Sequence, residues 1–246
     1  SAEYLVFQSI DLSQSGKTID SMAVLGAEGT YYMSEKNIYV ATETDAWRKT
    51  KISRYSYEKG TIKYACEKVI NGTILNQFSM DEYEGNLRFA ATTYDDNGKT
   101  TNGLYIVDSS FKTIGSVSRL APGERIYSAR FMGESVYFVT YRETDPLFLV
   151  DVSDPANPVV KDKLKIPGFS DYLHPFGENM LLGIGSIQDK EGNSYVKLSM
   201  FDISNPEKVK EIHSKKLGKN TVQNMGSDHK GIVVDAERNR IWCRKL

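Results

Sequence analysis

Apolar residues in this chain recur at every second position in short runs, and the three-to-four spacing of an amphipathic helix is scarce. Alternation with period two gives an extended strand one apolar and one polar face. The runs are rich in Tyr, Val, Ile and Thr and are bounded by Gly, Asn, Asp or Pro, the composition of strands and of the turns between them. The class predicted is all-β. The stretch Ile126–Gly185 shows the pattern most completely. Two apolar runs join at Gly133 and Glu134, a second pair joins through the turn Asp154–Pro158, and Phe176, Gly177 and Glu178 begin the same pattern again.

Two kinds of hairpin alternate along the whole chain. The first is an apolar run, a polar turn and a second apolar run, at Tyr31–Thr42, Phe78–Thr92, Ala129–Thr140, Leu173–Ile184 and Lys230–Cys243. The second carries a small polar residue after an aromatic or branched one, then a turn and a more polar strand. Its copies centre on Asp11, Ser56, Asp108, Asp151 and Asp202, so successive centres lie 45, 52, 43 and 51 residues apart. That is the period of a four-stranded propeller blade. The aspartates have a turn-forming reason to be there: a short acceptor caps the backbone donors of the following turn, and Asp154-Pro155 and Asn205-Pro206 fix its dihedrals.

The fold expected is therefore a β-propeller in one domain. Its complete blades fall at about 31–76, 77–127, 128–171 and 172–222, with half blades at 1–30 and 223–246. The two halves can pair into a fifth, composite blade that removes the exposed sheet edges. Alternatively, the chain is an excerpt of a larger propeller.

The runs LAPGERIYSARF, DPLFLVDVSDPANP, IPGFSDYLHPFGENMLLGIG and LNQFSMDEYEGNLRFAATT, with the late Asp228-His229-Lys230, resemble the secreted bacterial and archaeal β-propeller domain proteins distantly related to WD repeats. The likeness covers nearly the whole chain. It implies a propeller fold and an extracytoplasmic or cell-surface location, and it supplies no catalytic residues. Family members are longer than this chain, which favours the excerpt.

Charge narrows the function classes. Lys and Arg number 31 against 32 Asp and Glu, with no long block of either sign, so the footprint of a nucleic-acid binder is missing. The local basic excess at Lys208–Lys219 reads as a solvated outer strand. No apolar run reaches membrane-spanning length. Cys66 and Cys243 fall in different repeat units, and two cysteines offer neither a disulfide framework nor a cysteine zinc site.

In propellers, concavity arises where inner strands and the loops leading into them converge. Aligning the first-kind turns sets Arg130 of the third blade against His174 of the fourth, with Tyr31, Gln77 or Phe78 at related positions. Arg130, Asp171, His174, Asp228 and His229 are thus the candidate ligand-binding residues, able as a set to hold an anion, a sugar or a metal. Each has a plainer reading: His174 precedes Pro175 and fixes a strand entry, while His213 is solvated on an outer strand. No H-E-x-x-H pair, nucleophile elbow or phosphate loop occurs, and Gly183-Ile184-Gly185 reads as a strand end, so no catalytic residue, cofactor or metal is assigned. The acidic run Asp95, Asp96 and Asn97 lacks the later Glu of a calcium loop and reads as a hairpin turn. Trp47 and Tyr94 are loop aromatics suited to partner or glycan contact.

The function expected is a non-enzymatic, extracytoplasmic binding or scaffold module for a protein or carbohydrate. The alternative is a hydrolase or lyase with an acid–base or metal site at the mouth of the central channel, around Asp171, His174, Asp228 and His229.

Overall fold

A computed structural model describes residues 3–44, 48–95, 97–141, 145–219 and 228–243, with Asp145 and Cys243 described in their backbone only. Trp47 and Asp96 lie outside the described residues. The secondary structure is strands and three short 3-10 turns, as the alternation predicts. The chain divides into two compact units, Ser1–Ser116 and Val117–Leu246.

The N-terminal unit opens with a two-stranded sheet, β1 (Tyr4–Asp11) and β2 (Lys17–Leu25). Next come β3 (Thr30–Met33), β4 (Asn37–Glu43), β5 (Lys49–Glu58) and β6 (Thr61–Thr73), the first complete blade. The second blade is β7 (Met80–Tyr83), β8 (Asn86–Tyr94), β9 (Thr100–Val107) and β10 (Thr113–Leu120), whose last residues pass the unit boundary. The long β6 joins the two blades into one sheet by pairing Gly72 and Thr73 with Thr93 and Thr92 of β8. One core packs Tyr39, Ile52, Met80, Leu87 and Phe89, none more than 2% exposed. A second packs Ile38, Val40, Tyr55 and Ile62 against the inward face of β1 and β2, namely Leu5, Phe7, Met22 and Val24.

The C-terminal unit holds two four-stranded antiparallel sheets and a terminal hairpin. The third blade is β11 (Arg125–Met132), β12 (Ser135–Tyr141), β13 (Asp145–Asp151) and β14 (Val159–Ile166). The fourth is β15 (Phe169–Pro175), β16 (Met180–Gln188), β17 (Ser194–Asp202) and β18 (Lys210–Leu217). A two-stranded sheet, β19 (Ile232–Asp235) and β20 (Arg240–Cys243), follows. Its core joins Tyr137, Val139, Leu147 and Leu149 of the third blade to Leu173, Leu181 and Phe201 of the fourth. Burying each such side chain contributes roughly 1.5–3 kcal/mol, and most of the tie between neighbouring blades is of this kind. The basic strand β18 is solvated as expected: Lys210, His213, Lys215 and Lys216 are exposed. Its Glu211 pairs with the buried amine of Lys197 at 2.6 Å.

The repeat is visible residue by residue in the outer hairpins. Register shifts recur at Ser9/Ile10, Arg54/Tyr55, Leu149/Val150 and Met200/Phe201, each one or two residues before a centre of the sequence period. Asp11, Asp108, Asp151 and Asp202 each accept hydrogen bonds from the backbone N–H and the hydroxyl of the serine two residues on. These bonds hold all four carboxyls below the usual range. Ser56 departs from the pattern. Lacking the carboxylate, its strand runs on to a two-residue turn at Lys59 and Gly60, with φ of 50° and 82°, a primed turn whose second position suits glycine. The hairpin-turn reading holds from Asp95, which accepts from the N–H of Asn97 and Lys99 at 3.0 and 2.8 Å, while Tyr94, expected on the loop, is the last residue of β8. Asp189 makes the equivalent bonds to Glu191 and Asn193, 2.9 Å each, and with Asn193 and Tyr195 beside it titrates at about 2.

Two strand starts differ from the sequence expectation by four residues. β11 begins at Arg125 rather than Ala129, and β15 at Phe169 rather than Leu173. The cause is a bulge in each strand, between Ile126 and Ser128 and between Ser170 and Tyr172. A bulge moves the following side chains to the other face, so the alternation breaks and the first half of the strand is lost from the pattern. The second bulge also explains Gly183-Ile184-Gly185, which lies inside β16 rather than at a strand end. A Cβ on Gly185 would sit 1.7 Å from the Phe169 carbonyl oxygen.

Candidate functional site

Arg130 and His174 sit at the equivalent place in adjacent inner strands, one opposite Tyr137 of β12 and the other opposite Leu182 of β16. The Arg130 guanidinium donates two hydrogen bonds to the Leu173 carbonyl, with Nε at 2.8 Å. It lies over the ring of Tyr172, 5.4 Å from the centroid, a cation–π contact. Two residues earlier the Ser128 hydroxyl donates to the Ser170 carbonyl at 2.7 Å. Both bonds run from a side chain of β11 to the backbone of β15, stitching the third blade to the fourth.

Tyr172 continues the cluster, with its hydroxyl 2.9 Å from Nδ1 of His174. Burial pushes the Tyr172 phenol up. Burial first and the Arg130 charge second hold His174 below the usual imidazole value. The pair is therefore neutral near pH 7 beside a fixed cation. Because β15 begins at Phe169, His174 does not mark a strand entry; it is one residue from the strand's end.

The remaining nominated residues lie elsewhere. Asp171 is the bulged residue of β15 and is half-buried. Exposed Asp228 and half-buried His229 belong to the 3-10 turn His229–Gly231 that leads into β19, where the Gly231 N–H bonds the Asp228 carbonyl at 3.0 Å. Among the described residues no three of His, Cys, Asp and Glu stand where they could hold a metal ion, so Asp171, His174, Asp228 and His229 form no such set. Cys66 is a free, half-buried thiol 3.8 Å from the Ser109 carbonyl; burial pushes it up.

The inner strands of the N-terminal unit carry a different device, facing the preceding blade. Glu82 on β7 accepts from the Ser34 hydroxyl at 2.7 Å, the Asn37 amide at 2.9 Å and the Tyr39 hydroxyl at 2.7 Å. Its own N–H donates to the Tyr32 hydroxyl at 3.0 Å. Tyr31 bonds the Ala27 carbonyl at 3.0 Å, and Gln77 and Phe78 fall in a 3-10 turn before β7.

Sequence reasoning missed one concavity. An open cleft of about 780 Å³ lies where the connection from β2 enters β3, lined by Glu28, Thr30, Glu43, Leu25, Leu75 and further residues of the same unit. Glu3, Glu28 and Glu43 belong to its lining, and no Lys, Arg or His does among the described residues. The only sequence signal was the pair Gly26 and Gly29 before an inner strand. The cleft's walls come from five separate segments, so no local pattern announces it.

The sequence matches the Beta propeller domain family over residues 1–243. The chain belongs to this β-propeller family. An uncharacterised protein of Methanocaldococcus jannaschii is 47% identical over 150 residues, 60% of this chain and 24% of that protein. An uncharacterised protein of Archaeoglobus fulgidus is 40% identical over 184 residues, 75% of this chain and 28% of that one. The propeller chain thus spans about a quarter of the length of these curated archaeal relatives. Among solved structures, cobalt-substituted Synechocystis apocarotenoid oxygenase superposes with a TM-score of 0.52 at 11% identity, covering 88% of this chain and 56% of that one. A variant of the same oxygenase gives 0.50 at 10% identity, with the same coverage. At these identities the likeness is one of fold.

Proposed function

We propose that this propeller segment is a non-enzymatic recognition module of an extracytoplasmic protein, binding a protein or carbohydrate through the loops that lead into its inner strands. The observation that carries this reading is the open cleft beside β3. It is concave and pairs apolar Leu25 and Leu75 with carboxylates that accept hydrogen bonds from hydroxyl or ammonium groups. The nominated charges on β11 and β15 support the same division of labour. Arg130 is spent on the Leu173 carbonyl and the Tyr172 face, and His174 is buried toward neutrality; these residues build the frame on which loops are presented. Extracytoplasmic placement rests on the family resemblance.

A glycan and peptide array probed with the chain tests the proposal, alongside Glu28→Trp, which fills the cleft from an exposed position, and Arg130→Met. Binding lost in Glu28→Trp and kept in Arg130→Met is the result expected. Binding lost only in Arg130→Met would move the site to the inner strands.

A further inference from the structure

Of the thirteen asparagines in the sequence, only Asn71 is followed by a residue other than proline and then by a hydroxyl residue, in Asn71-Gly72-Thr73. This is the acceptor pattern for N-linked glycans in secreted proteins. A triplet this short also arises by chance, and the fold around it decides its meaning. The triplet ends β6, where the strand passes from one blade to the next. Asn71 pairs with Lys49 of β5, while Gly72 and Thr73 pair with Thr93 and Thr92 of β8, so both flanks belong to the N-terminal unit. Gly72 has a packing reason to be there: a Cβ would lie 2.6 Å from the Thr92 carbonyl oxygen. Its own carbonyl accepts the Thr50 hydroxyl at 2.8 Å.

Asn71 has no such reason. Its side chain is exposed and finds no hydrogen-bond partner among the described residues. Asparagine is depleted in strands, because its amide competes for backbone groups in other conformations. The repeat does not require it either. Five positions beyond the partner of each register shift stand Leu25, Asn71, Pro167 and Gly218, counted from Asp20, Cys66, Asp162 and His213. The third and fourth blades turn at this place, with φ of 80° at Gly168 and 59° at Gly218. Strand β6 instead runs straight on to meet β8, so Asn71 serves no turn. Two residues earlier on the same face, the branched apolar side chain of Val69 is 53% exposed, surface that the first sugars of an attached glycan would cover.

We infer that Asn71 is an N-glycosylation site, an inference that rests on the extracytoplasmic placement proposed above. The co-reactant is a phosphate-activated oligosaccharide brought by a transferase. The Asn71 Nδ2 forms a bond to the anomeric carbon, the bond from that carbon to the phosphate oxygen breaks, the phosphate leaves with the electron pair, and one amide proton passes to the transferase. Trypsin digestion of the protein isolated from its own cells yields the peptide Val69–Arg88, whose mass and fragmentation read the modification. A glycan on Asn71 is expected. It should be lost in Asn71→Gln and in Thr73→Val, which keeps the branched shape and removes only the hydroxyl, and kept in Thr73→Ser. An unmodified peptide, deamidation of Asn71 as its sole change, a glycan that survives Asn71→Gln or Thr73→Val, or one absent from Thr73→Ser would overturn the inference. Cell fractionation separates the two ways to fail. An unmodified peptide on a surface-exposed chain removes the site alone, whereas one on a cytoplasmic chain removes the extracytoplasmic placement as well.

Discussion

The inner strands of the two units are tied to their neighbours by groups of opposite charge that face opposite ways, Glu82 toward the preceding blade and Arg130 toward the following one. In the N-terminal unit an anion, Glu82, gathers three side-chain donors from the β3–β4 hairpin. In the C-terminal unit a cation, Arg130, donates to the backbone carbonyl of Leu173 and stacks on Tyr172. Counted from the hairpin turns, Glu82 matches Phe131, whereas the position of Arg130 is filled by Tyr32 in the first blade, whose hydroxyl accepts the Glu82 N–H of the next inner strand. The two ties differ in what their loss leaves behind. Removing the carboxylate orphans several donors, including the hydroxyl of Tyr39, a residue only 1% exposed. Removing the guanidinium also removes its own desolvation penalty and leaves a carbonyl within a strand.

The largest effect is therefore expected at Glu82. Glu82→Ala should cost about 3 kcal/mol in urea unfolding, the scale of a buried donor group left unsatisfied plus lost charge-assisted bonds. Glu82→Gln should recover part of that. Arg130→Met should cost about 1 kcal/mol, since an apolar chain of similar length fills the space. Equal losses at the two sites would remove the distinction.

Much of the architecture was open to sequence reading because turn chemistry is local. An Asp followed two residues later by Ser makes its own cap, so Asp11, Asp108, Asp151 and Asp202 marked the period without reference to the fold. Ser56 marked the same place as a small polar residue after an aromatic one, although its turn lies further on. The inner strands were harder. The bulges at Tyr127 and Asp171 break the alternation, and for that reason β11 and β15 were placed four residues late and His174 looked like an entry residue. Glu82 was invisible as a tie because its partners Ser34, Asn37 and Tyr39 lie 48, 45 and 43 positions away. The alignment of Arg130 with His174 was legible from turn spacing alone; that both serve a blade contact through Tyr172 was not.

Acid separates the turns from the inner cluster, with a smaller effect. His174 is depressed in the folded state, so the unfolded chain binds its proton first. Stability from this group is full above about pH 6.5 and is lost as pH falls below it. The capped aspartates are depressed as well, but their contribution is full above about pH 4 and is lost only below that. Thermal melts from pH 8 to 3 should thus fall in two stages, and a His174→Phe chain should lose the upper stage alone. Ser153→Ala and Ser204→Ala, on exposed turns, should show the smallest changes, confined to the lower stage.

On the proposed reading, Arg130, Tyr172 and His174 tie the third blade to the fourth. NMR titration of His174 in the parent chain and in Arg130→Met tests it most directly. A midpoint below about 6.5 that moves upward when the cation is removed, together with a less stable chain, is the predicted result. A midpoint above that value in the parent chain, unmoved in Arg130→Met and with stability unchanged, would contradict it.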